Sequence, residues 1–247
     1  MTPTVEILTN RADLIERAKE LTIETVKNAI AARGQATLAL SGGSTPKPLY
    51  AALAKADLDW DKIFIFWGDE RYVPHDHEKS NHRMTREALL NHVPIPSENV
   101  FPMPTGSEDP ATDAKKYEET LQTFFQTSSG EVPAEFPAID FVIQGMGDDG
   151  HTASLFPHTE ALEVTDQLVT VGNHDGEPRI TFTAPLINRG RKVVFLVAGE
   201  NKQSALAQVF SAKADPKAYP SKLIQPENGP HWLIAAAAGV GVPDSFK

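Results

Sequence analysis

Residues 145–157 read GMGDDGHTASLFP and follow the apolar run IDFVI. Their glycines match G-x-G-x-x-G, the spacing of a dinucleotide-binding turn, yet Asp148, Asp149 and His151 stand where a helix should open. Three chemistries are open to such a loop: holding a pyrophosphate, ligating a metal, or carrying a reaction. A pyrophosphate needs helix N–H groups at the glycine turn, and two aspartates there repel it. Pro157 also leaves little room for a helix. For a metal, His75-Asp76-His77 with His82 and Asp69 offers nitrogen and oxygen donors at close spacing. The stretch VPHDHEKSNH is polar, however, and lacks the helical spacing of H-E-x-x-H, so a solvated loop is expected. The third chemistry needs only His151. Histidine titrates near neutrality, and a nearby carboxylate, Asp149 or Asp69, can fix its tautomer. Held against a water it can be a general base, a role worth about 10²–10⁴ in rate. A lone histidine is ordinarily a structural one; the glycines and acids around His151 raise it above that default.

Three other polar stretches carry the groups that an anion needs. In Ser41-Gly42-Gly43-Ser44-Thr45-Pro46, paired glycines allow a tight turn and close backbone approach. Ser44 or Thr45 can cap the next helix and Pro46 suits its first position, which makes a phosphate cradle or an ordinary strand-to-helix turn. No Lys-Ser/Thr follows, so this is not a Walker A loop. Asp69-Glu70-Arg71 follows the apolar run IFIFW. Taken alone, three adjacent charges read as a solvated loop, although Arg71 offers a planar, permanently charged fork and Asp69 can orient a histidine or accept a proton. Lys202 lies near a helix start, where the macrodipole disfavours a cation unless an anion is shared. Arg179, at the head of RITFT, is a weaker candidate of the same kind.

The elements that must position these loops follow from periodicity. Residues 10–34 place Leu14, Ala18, Leu21, Val26, Ala29 and Ile30 on one helical face, with Asn10 to cap the start and Gly34 to end it. ATLAL (36–40), IFIFW (63–67), FVI, RITFT (179–183) and VVFLVAG (193–199) read as strands. Helices are expected over PLYAALAKA, 80–92 (Met84, Ala88 and Leu89 inward), 113–125 (Tyr117, Leu121 and Phe124) and NKQSALAQVF. The stretch 126–138 is expected as a loop, and 211–230 as a surface excursion. Strands alternating with helices predict one α/β domain over 1–247, Rossmann-like, with a mostly parallel sheet flanked by helices on both faces. Each polar loop begins directly after a predicted strand. Ligands of such sheets bind at the carboxyl ends of strands, so the four loops are expected to converge.

Composition narrows the function further. The 247 residues, 40% apolar, suffice for a substantial core. No secretory signal and no apolar run of ~18–20 residues is present, and there is no cysteine. The reading is a soluble cytoplasmic protein. A net charge of −10 argues against a nucleic-acid partner. It also means that cations serving an anionic ligand must be gathered locally.

Read in order, SGGSTP, WGDERYVP followed by SN, GMGDDGHTASLFP, RITFT and AGENK resemble the 6-phosphogluconolactonases of the glucosamine-6-phosphate isomerase/6-phosphogluconolactonase family, from about residue 36 to 235. The related deaminases typically follow the histidine with Ile-Ala-Phe-Asn-Glu-Pro, including a catalytic glutamate. Here those positions are Thr152-Ala153-Ser154-Leu155-Phe156-Pro157, with no acid, which selects lactonase over deaminase. The resemblance implies a Rossmann-like domain that binds no NAD and uses no metal or other cofactor. It implies hydrolysis of a small sugar-phosphate lactone in the oxidative pentose phosphate pathway, with His151 activating water and Asp69 orienting the site. Gly42, Gly43, Ser44, Thr45, Arg71 and Lys202 would hold the phosphate, with Gly147, Asp149 and Arg179 beside the substrate. Two departures stand out. Members usually carry Gly after the LFP proline, where this chain has His158, and a common Trp-x-x-Asp reads Trp232-Leu233-Ile234-Ala235 here.

Three rival functions make separate predictions. A glucosamine-6-phosphate deaminase would release ammonia, a non-catalytic sugar-phosphate sensor would bind without turnover, and an oxidoreductase would bind NAD(P).

Overall fold

The computed structural model describes residues 2–129 and 136–246. Its strands are β1 (Thr4–Leu8), β2 (Ala36–Leu40), β3 (Ile63–Trp67), β4 (Asp69–Arg71), β5 (Phe141–Gly145), β6 (Val169–His174), β7 (Glu177–Phe182), β8 (Val193–Val197) and β9 (His231–Ala235). Its α-helices are α1 (Arg11–Arg33), α2 (Lys47–Leu53), α3 (Asn81–Ala88), α4 (Pro110–Ser129), α5 (Ala184–Asn188), α6 (Gln203–Val209) and α7 (Ala236–Gly239). Among the described residues, no helix is long and apolar enough to cross a membrane.

Six strands pair in parallel in the order β1-β9-β8-β5-β2-β3. Every residue of β2 and β8 is buried, as expected for continuous apolar strands covered on both faces. The helix α1 packs against β1, β2, β5 and β9. Asn10 caps it by accepting from the Ala12 and Asp13 N–H groups, and Gly34 ends it at φ +78°. Leu14, Ala18, Leu21, Val26 and Ala29 are the buried stripe. Phe124 and Phe125 of α4 reach Phe66 of β3, while α4 itself packs on β6 and β7.

The order has a consequence for ligands. Set aside the edge strand β1, and the other five run 2-1-3-4-5 in chain order, the flavodoxin-like arrangement whose connections reverse direction between its first and third strands. Here those are β2 and β5, paired only through Leu38–Phe141 and Ala39–Val142. The loops SGGSTP and GMGDDGH leave this switch point.

Several expectations change. RITFT joins no parallel sheet; β7 pairs antiparallel with β4 and β6 in a separate three-stranded sheet. A short apolar run does not reveal which sheet it enters. The helix expected over 80–92 ends as α3 at Ala88, because Leu89 leaves helical geometry (φ −133°, ψ −64°), and a 3₁₀ turn Leu90–His92 follows. The one expected over 113–125 runs longer, over Pro110–Ser129. Residues 126–129, expected as loop, are therefore helical, and residues 130–135 of that stretch lie outside the described ones. The stretch 211–230 contains the 3₁₀ turn Pro220–Leu223, in which Pro220 and Ser221 are buried, so it is not merely a surface excursion.

Candidate active site

The four polar loops follow β8, β5, β2 and β3, which are neighbours in the sheet, and they meet at one end of it. Together with β7 they line a cavity of about 370 Å³. Gly42, Gly43, Ser44 and Thr45 form one wall, and Asp69 and Arg71 another. Gly147, His151, Arg179 and Lys202 complete it. Asp149 stands behind His151.

The Asp149 Oδ1 atom lies 2.7 Å from His151 Nδ1 and also accepts the His151 backbone N–H at 3.0 Å. An ionised carboxylate can only accept, so Nδ1 carries a proton, and in the neutral ring the lone pair is then on Nε2. Burial alone would raise the Asp149 pKa, but the side-chain and backbone bonds from His151 outweigh it and hold the group at about 2. Between the two candidate partners the geometry selects Asp149. Gly147 makes the pair possible: a Cβ there would sit 2.1 Å from His151 Nδ1 and 2.5 Å from Asp149 Oδ1. The loop is anchored on both sides. Thr152 Oγ1 lies within hydrogen-bond distance of the Gln144 side-chain oxygen (2.6 Å) and the Gly145 carbonyl (2.8 Å), which share its one proton, and the Ser221 N–H donates to the Gly150 carbonyl at 2.9 Å. The 211–230 excursion thus braces the histidine loop. No helix opens at these glycines; residues 152–155 form a tight bridge instead, which leaves a pyrophosphate no row of helix N–H groups.

Asp69 belongs to a different network. It is 6% exposed, accepts the Ser154 hydroxyl on Oδ2 at 2.8 Å, and faces Asn81 Nδ2 at 3.4 Å on Oδ1. The Asn81 amide also donates to the Asp69 carbonyl at 2.9 Å. Its neighbour Glu70 is 1% exposed and accepts from Asn81 N (2.7 Å), His82 N (2.8 Å), Ser80 Oγ (3.0 Å) and Arg71 N (2.8 Å). Burial pushes its pKa up, opposed by the backbone bonds from Asn81 and His82. Glu70 therefore holds the start of α3, and the solvated-loop reading of GDER fails because the three residues form strand β4.

Arg71 and Arg179 stand directly opposite each other across β4 and β7. Like charges in that position are destabilising. Arg71 Nη1 donates to the Lys79 carbonyl at 2.7 Å, and the Arg179 guanidinium lies 5.4 Å from the centre of the Phe156 ring. Burial lowers the Arg179 pKa, and the charge of Arg71 lowers it further. Both Nε atoms are buried without a hydrogen-bond partner among the described residues. Neither arginine, nor Lys202, forms an ion pair with a carboxylate among the described residues. Three cations share one cavity, in a chain of net charge −10, with no protein anion among the described residues paired to any of them.

The SGGSTP loop is fixed by Tyr50, whose Oη accepts the Ser41 N–H at 2.9 Å and donates to the Ser41 carbonyl at 2.6 Å. Neither Ser44 nor Thr45 caps α2, contrary to expectation. Pro46 is already helical (φ −78°, ψ −18°) and occupies the cap position without a side-chain bond, which leaves the Ser44 and Thr45 side chains to line the cavity. Gly42 admits Asn81: a Cβ would fall 1.8 Å from Asn81 Oδ1. Lys202 closes a 3₁₀ turn and sits at the cap position of α6.

Asn81 and Asn201 also line the cavity and were missed from the sequence, although both lie within the SN and AGENK stretches. The histidine-rich stretch is otherwise engaged. His75 Nε2 lies 2.7 Å from the Met103 carbonyl, and His82 packs on Trp67 at 5.3 Å between ring centres. No cluster of three metal-ligating acids or histidines forms among the described residues. His158 adopts φ +59°, a left-handed conformation in which glycine is unstrained and histidine is among the more tolerated alternatives. Ala235, in the place of the common aspartate, is the buried last residue of β9.

A sequence profile of the glucosamine-6-phosphate isomerases/6-phosphogluconolactonase family matches residues 9–233. A 6-phosphogluconolactonase of Synechocystis is 57% identical over 239 residues, covering 97% of this chain and 98% of that one. One of Mycobacterium tuberculosis is 37% identical, covering 98% and 100%. Among solved structures, the 6-phosphogluconolactonase of Trypanosoma brucei superposes with a TM-score of 0.83 at 27% identity, covering 98% of this chain and 99% of that one. The chain belongs to the glucosamine-6-phosphate isomerase/6-phosphogluconolactonase family.

Proposed function

We propose that this chain, acting as one domain over residues 1–247, hydrolyses 6-phospho-D-glucono-1,5-lactone to 6-phosphogluconate in the cytoplasm, as a step of the oxidative pentose phosphate pathway. The observation that carries this reading is the pairing, in one cavity, of an oriented histidine with three cations that form no ion pair with a carboxylate among the described residues. A phosphorylated lactone presents both complements: a dianion for Arg71, Lys202 and the SGGSTP loop, and an ester carbonyl for His151. The 57% identical relative bears the lactonase name.

In this mechanism Nε2 of His151 takes a proton from water as the water oxygen bonds to C1. Asp149 steadies the imidazolium that forms. Backbone N–H groups of the glycine-rich loops stabilise the oxyanion. The tetrahedral species collapses by breaking the bond from C1 to the ring oxygen, and imidazolium returns the proton to that oxygen. The carboxylic acid product then ionises and releases one proton to solvent. Gly42, Gly43, Ser44, Thr45, Arg71 and Lys202 hold the phosphate, Gly147 supports the catalytic pair, and Arg179 and Asp69 face the sugar. A lactone is an activated ester that opens slowly in water, so the chemistry calls for no metal or cofactor.

The test is hydrolysis of freshly generated 6-phosphoglucono-1,5-lactone by wild type and His151→Ala, with spontaneous opening subtracted. Acceleration by wild type that collapses in the folded variant supports both activity and base. Acceleration that survives removes His151 as the base, and none by wild type removes the lactonase.

A further inference from the structure

We infer that Ser154 is a positioning residue for Asp69, clipping the strand that carries Asp69 to the loop that carries His151. The inference rests on the lactonase reading for its kinetic consequence, not for its structural one. Ser154 lies three residues after His151 and is fully buried. Its hydroxyl donates to Asp69 Oδ2 at 2.8 Å. Its backbone N–H donates to Thr181 Oγ1 on β7 at 3.1 Å. Its carbonyl presses on β6 so closely that a Cβ on Gly172 would come within 2.2 Å of it. The preceding residue, Ala153, takes φ +48°, and the Leu155 N–H closes the turn on the Thr152 carbonyl at 3.0 Å. That turn aims the Ser154 hydroxyl away from solvent and back at β4.

With the His151–Asp149 pair complete, Asp69 is free of the role of histidine partner. Ser154 occupies its Oδ2 atom, and the long contact from Asn81 leaves Oδ1 the less engaged oxygen of a carboxylate that lines the cavity. Ser154 thereby sets which oxygen of Asp69 meets a substrate hydroxyl. The charged and titratable groups around Asp69 are Glu70 and Arg71 on β4, Arg179 on β7, Tyr50 on α2, and His151 and Lys202 across the cavity. Only Ser154 gives this carboxylate a short side-chain hydrogen bond among the described residues. A sequence comparison built on the histidine motif gives no reason to single out this serine, because its partner lies 85 residues away.

The experiment is a double-mutant cycle of Ser154→Ala and Asp69→Ala, read in kcat/KM for the lactone and in the urea unfolding midpoint. Hydrogen bonds to charged groups carry enough energy that Ser154→Ala should lower kcat/KM about ten- to a hundredfold. In the Asp69→Ala background, which leaves the hydroxyl no carboxylate to meet, the same change should cost less than about twofold, since coupled residues are non-additive. The unfolding midpoint should likewise fall in Ser154→Ala and shift less in the Asp69→Ala background. Equal losses of kcat/KM in both backgrounds overturn the inference, and so do equal shifts of the unfolding midpoint. The unfolding cycle decides the matter even in a wild type that fails to hydrolyse the lactone, an outcome that would remove the proposed function alone. If Ser154→Ala does not fold, Ser154→Cys replaces it, with a weaker donor of similar size and a smaller shift in the same direction.

Discussion

Replacing Asp149 by Asn tests the catalytic pair with little change of volume. The amide oxygen can still accept from His151 Nδ1, so the ring keeps its tautomer and loses only the opposing charge. At the observed separation of 2.7 Å, two unit charges interact by about 3 kcal/mol at an effective dielectric of ~40, and by about 1.5 at the value for water. With the Asp149 side chain 42% exposed, the lower part of that range applies. Asp149→Asn is therefore expected to lower kcat about tenfold, with KM for the lactone changed less than about threefold, because Asp149 does not line the cavity. A pH-stat assay that counts the released proton measures this directly. Stability provides a second check. The Asp149 pKa is depressed to about 2, so its contribution is present above the ordinary carboxylate range and lost as pH falls through 2. For a group this exposed that is about 0.5–1 kcal/mol at neutral pH. Wild type and variant should differ by that amount in urea at pH 7 and converge near pH 2. A kcat within twofold of wild type would refute the assignment of Asp149 as the group that stabilises imidazolium.

Arg179→Met removes one of two opposed cations, so it should stabilise the ligand-free fold by about 0.5–1 kcal/mol while raising KM for the lactone at least about tenfold. Loss of both stability and affinity would show that Arg179 is structural. His82 is held neutral, lowered to about 4 chiefly by burial, with the charges of His75 and Arg86 adding to it. A histidine of depressed pKa contributes stability that is whole above pH 6.5 and lost as pH falls toward 4. His82→Phe should therefore flatten the loss of denaturation midpoint between pH 7 and 4.5, and an unchanged slope would place the acid sensitivity elsewhere. His158→Gly relieves a left-handed residue costing about 1–2 kcal/mol, offset in part by glycine's unfolded-state entropy. The thermal midpoint should rise slightly, and a fall would mean that the exposed imidazole makes a contribution of its own.

Most of the fold was legible. The periodic stripe of α1, its Asn10 and Gly34 caps, and the apolar runs of β2, β3, β5 and β8 are local patterns that burial rewards wherever they occur. The boundaries that moved, at Leu89 and beyond Phe125, depend on dihedral changes and tertiary contacts that a propensity does not encode. The four polar loops likewise meet as expected, because parallel strands deliver their following loops to the same end of a sheet, whereas Arg179 reaches the cavity from the antiparallel strand β7.

The chain's own residues supply an inventory: glycine turns, a histidine flanked by acids, and scarce cations after strands. Which carboxylate serves which partner depends on how distant parts of the chain pack together. Asp149 and Asp69 are equivalent on paper, since a carboxylate's role depends on which donor the fold brings within hydrogen-bond reach. Asp149 meets His151 through a two-residue turn, whereas Asp69 meets Ser154 only because a strand and a loop 85 residues apart in sequence are packed together. The opposition of Arg71 and Arg179 is of the same kind, a matter of antiparallel register that neither strand specifies alone.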